Sequence, residues 1–129
     1  MAGQPRILVV DDDKDDQLML LDILREMYPS SLCNAADNGQ AALDHIKQNP
    51  PPPDYVFLDL NMPFVNGYEF LEEFRKDHTN HSSIVIIYST STHPRDKILT
   101  KQLGAHHYIP KMSNIENLKT KLKAVIHNA

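Results

Sequence analysis

The chain of 129 residues has no tryptophan, one cysteine and four glycines, and aromatic side chains make up only 7% of it. A single thiol, Cys33, closes no internal disulfide, so the fold must rest on a hydrophobic core, and this cysteine usage suits a reducing compartment. No charged-then-apolar leader precedes Arg6, which adds to the expectation of a cytoplasmic address. Long apolar runs are missing as well. The longest, such as Ile84 to Tyr88, cover about five residues against the roughly 20 that a membrane helix needs, so no membrane span is expected. Positive charge is the scarcer sign, with 13 Lys and Arg against 17 Asp and Glu, a net charge of -4 and a pI near 5.9. That balance disfavours a sequence-independent grip on nucleic-acid phosphate, and no DNA-binding output domain is expected.

What is present amounts to one ordinary globular domain: 14.7 kDa, 41% hydrophobic, 23% charged, mean hydropathy -0.42. A chain of this length buries roughly two-thirds of its unfolded surface and needs neither disulfides nor structural metal. Residues 1–129 are therefore expected to form a single domain, with its core between about residues 6 and 127. Charge is uneven along it. Five of the twelve aspartates are Asp11, Asp12, Asp13, Asp15 and Asp16, whereas Lys119, Lys121 and Lys123 make the C-terminal end basic.

Short apolar runs alternate with helical periodicity. Ile7 to Val10, Tyr55 to Leu58 and Ile84 to Tyr88 are continuous and rich in Val and Ile, as strands covered on both faces are. Leu32 to Ala36 and His107 to Ile109 are weaker. Between them, Leu18, Leu21 and Leu24 fit one helix, Ala41, Ala42, His45 and Ile46 a second, and Tyr68, Leu71 and Phe74 a third. Ile98, Leu99 and Leu103 fit a fourth, and Ile115, Leu118, Leu122, Val125 and Ile126 a fifth. Asn38-Gly39 and Asn66-Gly67 read as turns into helices, and Thr92 to Pro94 offers a cap followed by a first-turn proline. Ser113 with Glu116 has capping-box spacing, Gly104 closes the fourth helix, and Pro50 to Pro53 is a stiff extended connector. The pattern predicts an α/β fold: a five-stranded parallel sheet in the order 2-1-3-4-5, doubly wound with helices on both faces. The two polar strands then become the edges, where Pro110 is tolerated.

In such a sheet ligands bind beyond the carboxyl ends of the strands, near the switch between strands one and three. The residues delivered there are Asp11 and Asp12, Asp59, Ser89 with Thr90 beside it, and Lys111. Carboxylates about 5 Å apart repel by roughly 3 kcal/mol at an effective dielectric near 20, so the cluster calls for a counter-charge. Hard oxygen donors with retained water suit magnesium. Asp13, Asp15 and Asp16 read instead as a solvated run at a helix N-terminus, one of them capping it. Asp59, alone at the end of a buried strand, reads as a carboxylate nucleophile for a phosphoryl group, with Lys111 and Ser89 neutralising and bonding the phosphoryl oxygens.

Val9-Val10-Asp11-Asp12, Leu58-Asp59-Leu60-Asn61-Met62-Pro63 with Asn66-Gly67, then Ser89, Gly104-Ala105 and Lys111 together resemble the receiver domain of two-component response regulators. The resemblance runs from Ile7 to about Ile126. It implies that Asp59 is the phosphorylation site and that Mg2+ is held by Asp12 directly, by Asp11 largely through water, by Asp59, and by the backbone carbonyl of Asn61. It further implies that Ser89, Thr90 and Lys111, with Tyr108 as a switch aromatic, make up the phosphate-binding and switch group. The implied partner is a sensor histidine kinase, with a histidine phosphotransfer protein or another downstream protein beyond it. No effector domain is expected, so signalling falls to the face made by the fourth helix, fifth strand and fifth helix, a face that could also serve a homodimer. No dedicated enzyme activity is expected beyond the domain's own phosphorylation and dephosphorylation.

Two departures stand out. Met112 follows Lys111 where the family usually has proline, which makes a cis bond there improbable, and Tyr88 is bulkier than the usual aliphatic residue. A phosphatase of the haloacid-dehalogenase type is a second reading, since Asp11 and Asp13 have Asp-x-Asp spacing. A receiver-shaped scaffold that no longer accepts phosphate is a third. His78 and His81 read as surface residues, His106 and His107 as adjacent strand residues facing opposite ways, and Phe70, Leu71 and Phe74 as core.

Overall fold

The computed structural model describes residues 4–62 and 65–126. Strands and helices alternate strictly: β1 (Arg6–Val10), α1 (Lys14–Met27), β2 (Leu32–Ala36), α2 (Gly39–Gln48), β3 (Tyr55–Leu58), α3 (Gly67–Lys76), β4 (Ile84–Ser89), α4 (Pro94–Gln102), β5 (His107–Pro110) and α5 (Ile115–Val125), with a short 3-10 turn at His78–Asn80. All pairings are parallel and the order is β2-β1-β3-β4-β5, as expected. The period of two splits the apolar runs between two cores. Ile7, Val9, Phe57, Ile86, Tyr88 and Ile109 face α1 and α5, while Leu8, Val10, Val56, Leu58, Val85 and Ile87 face α2 and α3.

Helix boundaries follow their caps. Asp13 caps α1 by accepting from the Asp16 N–H, and Asn38 caps α2. Asn66 and Glu69 form a reciprocal capping box on α3. Within Thr92 to Pro94 the cap of α4 falls on His93, through its ring Nδ1, with Pro94 in the first turn. The cap of α5 differs from the sequence reading: Asn114, not Ser113, holds it. A residue with an acceptor two or three positions before a free N–H suffices, and one-residue shifts of this kind are invisible to spacing.

Four apolar residues on the expected helix faces lie outside the core. Leu18 is 52% exposed, Ile98 58% and Ile115 46%, and Leu99 is exposed as well. On α1 the buried stripe is Gln17, Leu20, Leu21, Ile23 and Leu24; on α4 only Thr100 is buried. Phe70, Leu71 and Phe74 are core, with the two phenylalanine rings stacked at 5.3 Å.

Arg75 ties the far end of α3 to three neighbours, donating to the carbonyls of Asn80, Ser83 and Gly104 at 2.9–3.0 Å. At the near end, Gly67 lets α3 start against the loop that follows β3. A Cβ there would lie 2.5 Å from the Asp59 carbonyl oxygen and 2.7 Å from the Leu60 Cα. Because backbone cannot yield as a side chain does, Gly67→Ala is expected to cost about 1–3 kcal/mol by denaturant unfolding. The amide resonances of Asp59 to Asn61 should shift with it.

Candidate functional site

Parallel strands bring their carboxyl ends to one edge, and the change of direction in strand order between β1 and β3 opens a crevice there. Backbone bonds carry the register just past the strands: Asp11 N–H to Ala36 O (3.1 Å), Asp59 N–H to Val10 O (3.0 Å) and Lys111 N–H to Ser89 O (2.8 Å). The side chains at these positions are thereby held by the sheet itself.

Lys111 is the centre of the cluster. Its Nζ lies 2.9 Å from Asp11 Oδ2, 2.9 Å from Asp16 Oδ2 and 3.4 Å from Asp59 Oδ2. Asp11 and Asp59 are 2% and 6% exposed. The Tyr88 ring lies 5.8 Å from the same ammonium, a cation–π contact beneath it. Tyr88 therefore packs inward, in the core shared with α1 and α5, and burial pushes its hydroxyl up to about 12. Burial opposes the charge on Lys111, but hydrogen bonds to Asp11 and Asp16 and the charge of Asp59 outweigh it and hold the ammonium above its ordinary range. Asp11 behaves differently. Desolvation pushes its carboxyl up to about 6 although Lys111 and the Asp13 N–H both donate to it.

Carboxylate oxygens of Asp11, Asp12 and Asp59 come within 4.8 Å of one another, and Asp12 is open to solvent. One ammonium shared with Asp16 leaves this group with net negative charge. Three oxygen donors converging there, one of them facing water, fit a hard divalent cation that keeps part of its hydration shell. Residues 7–123 match the family model of the response regulator receiver domain. The chain belongs to this family.

Its relatives agree. The receiver chain is 31% identical over 121 residues to Protein PilH of Pseudomonas aeruginosa, covering 94% of this chain and 97% of PilH. It spans a much smaller share of other curated relatives, such as 27% of a probable cyclic di-GMP phosphodiesterase of Vibrio cholerae, to which it is 32% identical over 127 residues, 98% of this chain. Among solved structures it resembles the phosphorylated cyanobacterial phytochrome response regulator RcpA, with a TM-score of 0.85 and 27% identity over 95% of this chain and 91% of that one. It also resembles the response regulator TrrA of Thermotoga maritima in complex with Mg2+-BeF, with a TM-score of 0.77 and 31% identity over 95% of this chain and all of TrrA.

The receiver's remaining candidate residues form a second group. Ser89 is fully buried, and its Oγ accepts from the Ser91 N–H at 3.3 Å. Tyr108, half-buried, donates its hydroxyl to the Ser91 carbonyl at 2.9 Å. Thr90 is exposed beside them, and Asn61, also exposed, donates its N–H toward Asp59 Oδ1 at 3.4 Å. Pro63 of the quoted motif lies outside the described residues. The Lys111-Met112 peptide is trans, since Pro50-Pro51 is the cis bond found among the described residues. His78 and His81 are exposed and bond each other, and the His106 ring accepts from the Val85 N–H.

Two residues at the site escaped the sequence reading. Asp16, assigned to a solvated run, pairs with Lys111. Gln17 is buried and its Nε2 donates to Asp11 O (3.0 Å), Ala36 O (3.3 Å) and Asp37 Oδ1 (3.0 Å), which fixes the loop carrying the acidic pair. Its signal was there to see: Gln17 is the one polar member of an apolar stripe with Leu20, Leu21 and Leu24.

A raised Asp11 pKa gives a signed pH dependence. The folded state holds the Asp11 proton up to about pH 6, whereas an unfolded aspartate releases it near pH 4. Its contribution to stability is therefore complete below about pH 4 and is lost as pH rises through 6. In metal-free buffer, Asp11→Asn should gain stability relative to wild type across that window and run parallel to it above, as measured by urea unfolding at stepped pH.

Proposed function

We propose that this chain is a stand-alone receiver that takes a phosphoryl group from a sensor histidine kinase, or from a small phosphodonor, onto Asp59. The observation that carries this is a buried carboxylate sharing one ammonium with a second acidic residue, at the crevice where a parallel sheet of this order binds ligands. Mg2+ would be held by Asp11, Asp12, Asp59 and the Asn61 backbone carbonyl. When bound, it supplies charge neutralisation around the acceptor carboxylate and the incoming phosphoryl oxygens.

The chain's own residues do the rest. An Asp59 oxygen attacks phosphorus, a bond to the donor's leaving nitrogen or oxygen breaks, and an aspartyl phosphate remains. Lys111, held charged by its neighbours, exchanges part of its carboxylate contacts for a phosphoryl oxygen. The Ser89 hydroxyl donates to another. Burial of Asp59 keeps bulk water from the acyl phosphate, and an admitted water that attacks phosphorus breaks the bond to the Asp59 oxygen, freeing the carboxylate and releasing inorganic phosphate. Signalling then follows from Ser89 and Tyr108 through the α4, β5 and α5 face, where Ile98 and Leu99 stand exposed among Lys97 and Lys101. The stand-alone reading is supported by PilH, which this chain covers almost end to end. Among the described residues no helix is long and apolar enough to cross a membrane.

The phosphatase alternative is disfavoured by Asp13, whose side chain is committed to capping α1 and not to a general-acid position. The silent-scaffold alternative is disfavoured by Lys111, which reaches Asp59 despite Met112 beside it.

Incubation with acetyl phosphate and Mg2+ should give one phosphoryl adduct by intact-mass spectrometry. The adduct should require the metal, vanish in Asp59→Asn, and fall by at least about tenfold in yield with Lys111→Met, which removes a charged contact to the transferring group. A folded wild type without an adduct would sink the reading.

A further inference from the structure

Asp96 lies in the first turn of α4, where an acidic residue usually serves its own helix. Here it does not. His93 already caps α4, its Nδ1 accepting from the Arg95 N–H. Both Asp96 oxygens go to side chains from outside the helix: Oδ1 accepts from the Tyr68 hydroxyl on α3, and Oδ2 from the Ser91 hydroxyl.

Ser91 is in turn fully committed. Its N–H donates to Ser89 Oγ at 3.3 Å, its carbonyl accepts from the Tyr108 hydroxyl at 2.9 Å, and its Oγ also accepts from the His93 N–H at 3.3 Å. Tyr68 sits one residue into α3 beyond Gly67, whose N–H is bound to the Leu60 carbonyl at 3.1 Å, next to Asp59. A single carboxylate thus joins the segment that follows Asp59 to the loop that follows Ser89.

Resting on the phosphoryl-acceptor reading, we propose that Asp96 is a positioning residue for that site. Clamped by Tyr68 and Ser91, it holds the loop between β4 and α4 in the arrangement in which Ser89 and Tyr108 are both tied to Ser91, and so presets the Ser89 hydroxyl for a phosphoryl group on Asp59. Ser89 Oγ uses a lone pair for the Ser91 N–H and keeps its own proton able to donate. Without the clamp, the loop samples other conformations and the binding-competent fraction falls. Apparent affinity for a phosphoryl group falls by the same fraction.

The test is titration of the metal-loaded full chain with beryllofluoride, a phosphoryl mimic, followed by NMR and calorimetry. Asp96→Asn, Tyr68→Phe and Ser91→Ala should each weaken binding roughly threefold to tenfold, the range expected when hydrogen bonds to a partly exposed carboxylate control the competent fraction. Ser91→Thr, which keeps the hydroxyl, should retain wild-type affinity. Tyr68→Phe combined with Asp96→Asn should be no weaker than the worse single variant, because both break one clamp. A merely structural role would lower the unfolding midpoint without this pattern in affinity. Wild-type or tighter binding by Tyr68→Phe and Asp96→Asn would overturn the proposal while leaving the acceptor reading in place. Failure of the wild type to bind the mimic, with Asp59→Asn as the reference for no binding, would overturn both.

Discussion

One ammonium shared among three carboxylates is the interaction on which the site depends. Lys111 arrives from β5 and meets Asp11 from β1, Asp59 from β3 and Asp16 from α1. Without it, Asp11 and Asp59 would be two buried anions in close range, and groups so placed resolve the conflict by taking up protons or by disrupting the fold. With it, Asp11 still rises to about 6 because burial is the largest influence on that carboxyl. The site is therefore held together but not neutral. That residual negative charge, turned toward Asp12 and solvent, is what makes a divalent cation a fitting addition.

The sheet makes this arrangement inevitable once its order is set. β1 and β3 are neighbours in register, Val10 beside Leu58, so the residues after them fall side by side. β4 and β5 pair Ser89 with Pro110, which places Lys111 one step beyond the strand ends. Gly67 then allows α3 to begin directly against the Asp59 loop. Asp11 and Asp59 each follow directly on a strand whose side chains are almost wholly buried and Ser89 ends another, and such strands do not slip, because a one-residue slip would exchange their two core faces.

These features were legible in the sequence because each belongs to a strand or follows one. Three continuous apolar runs and two polar ones suffice to order the sheet, and the order names Asp11, Asp12, Asp59, Ser89 and Lys111. What escaped reading depends on contacts between elements. Asp16 looked like Asp15, its neighbour in a charged run, and only the arrival of Lys111 from 95 residues away distinguishes them. Ile98 and Leu99 looked like a core face because an apolar spacing says nothing about whether a neighbour is there to cover it. Tyr68 reads only as part of the apolar face of α3, and Ser91 and Asp96 carry no motif at all. They are polar residues in three separate segments that meet through the fold.

The poor anchoring of α4 has a mechanical meaning. α1, α2, α3 and α5 each bury several apolar side chains, whereas α4 buries only Thr100, whose hydroxyl bonds its own helix at Asp96 O. Elements with few buried apolar contacts open at low free energy. The N-terminal end of α4 is thus held chiefly by side-chain hydrogen bonds through Asp96, Ser91 and Tyr108, and these can be exchanged one for another without breaking a core. On the proposed function, a change in what Ser89 bonds to would be a change of that size. It would bias α4 and β5 between arrangements about a few kcal/mol apart, the range in which a local bond shifts a population. The same weakness that leaves Ile98 and Leu99 uncovered would then let their surroundings respond.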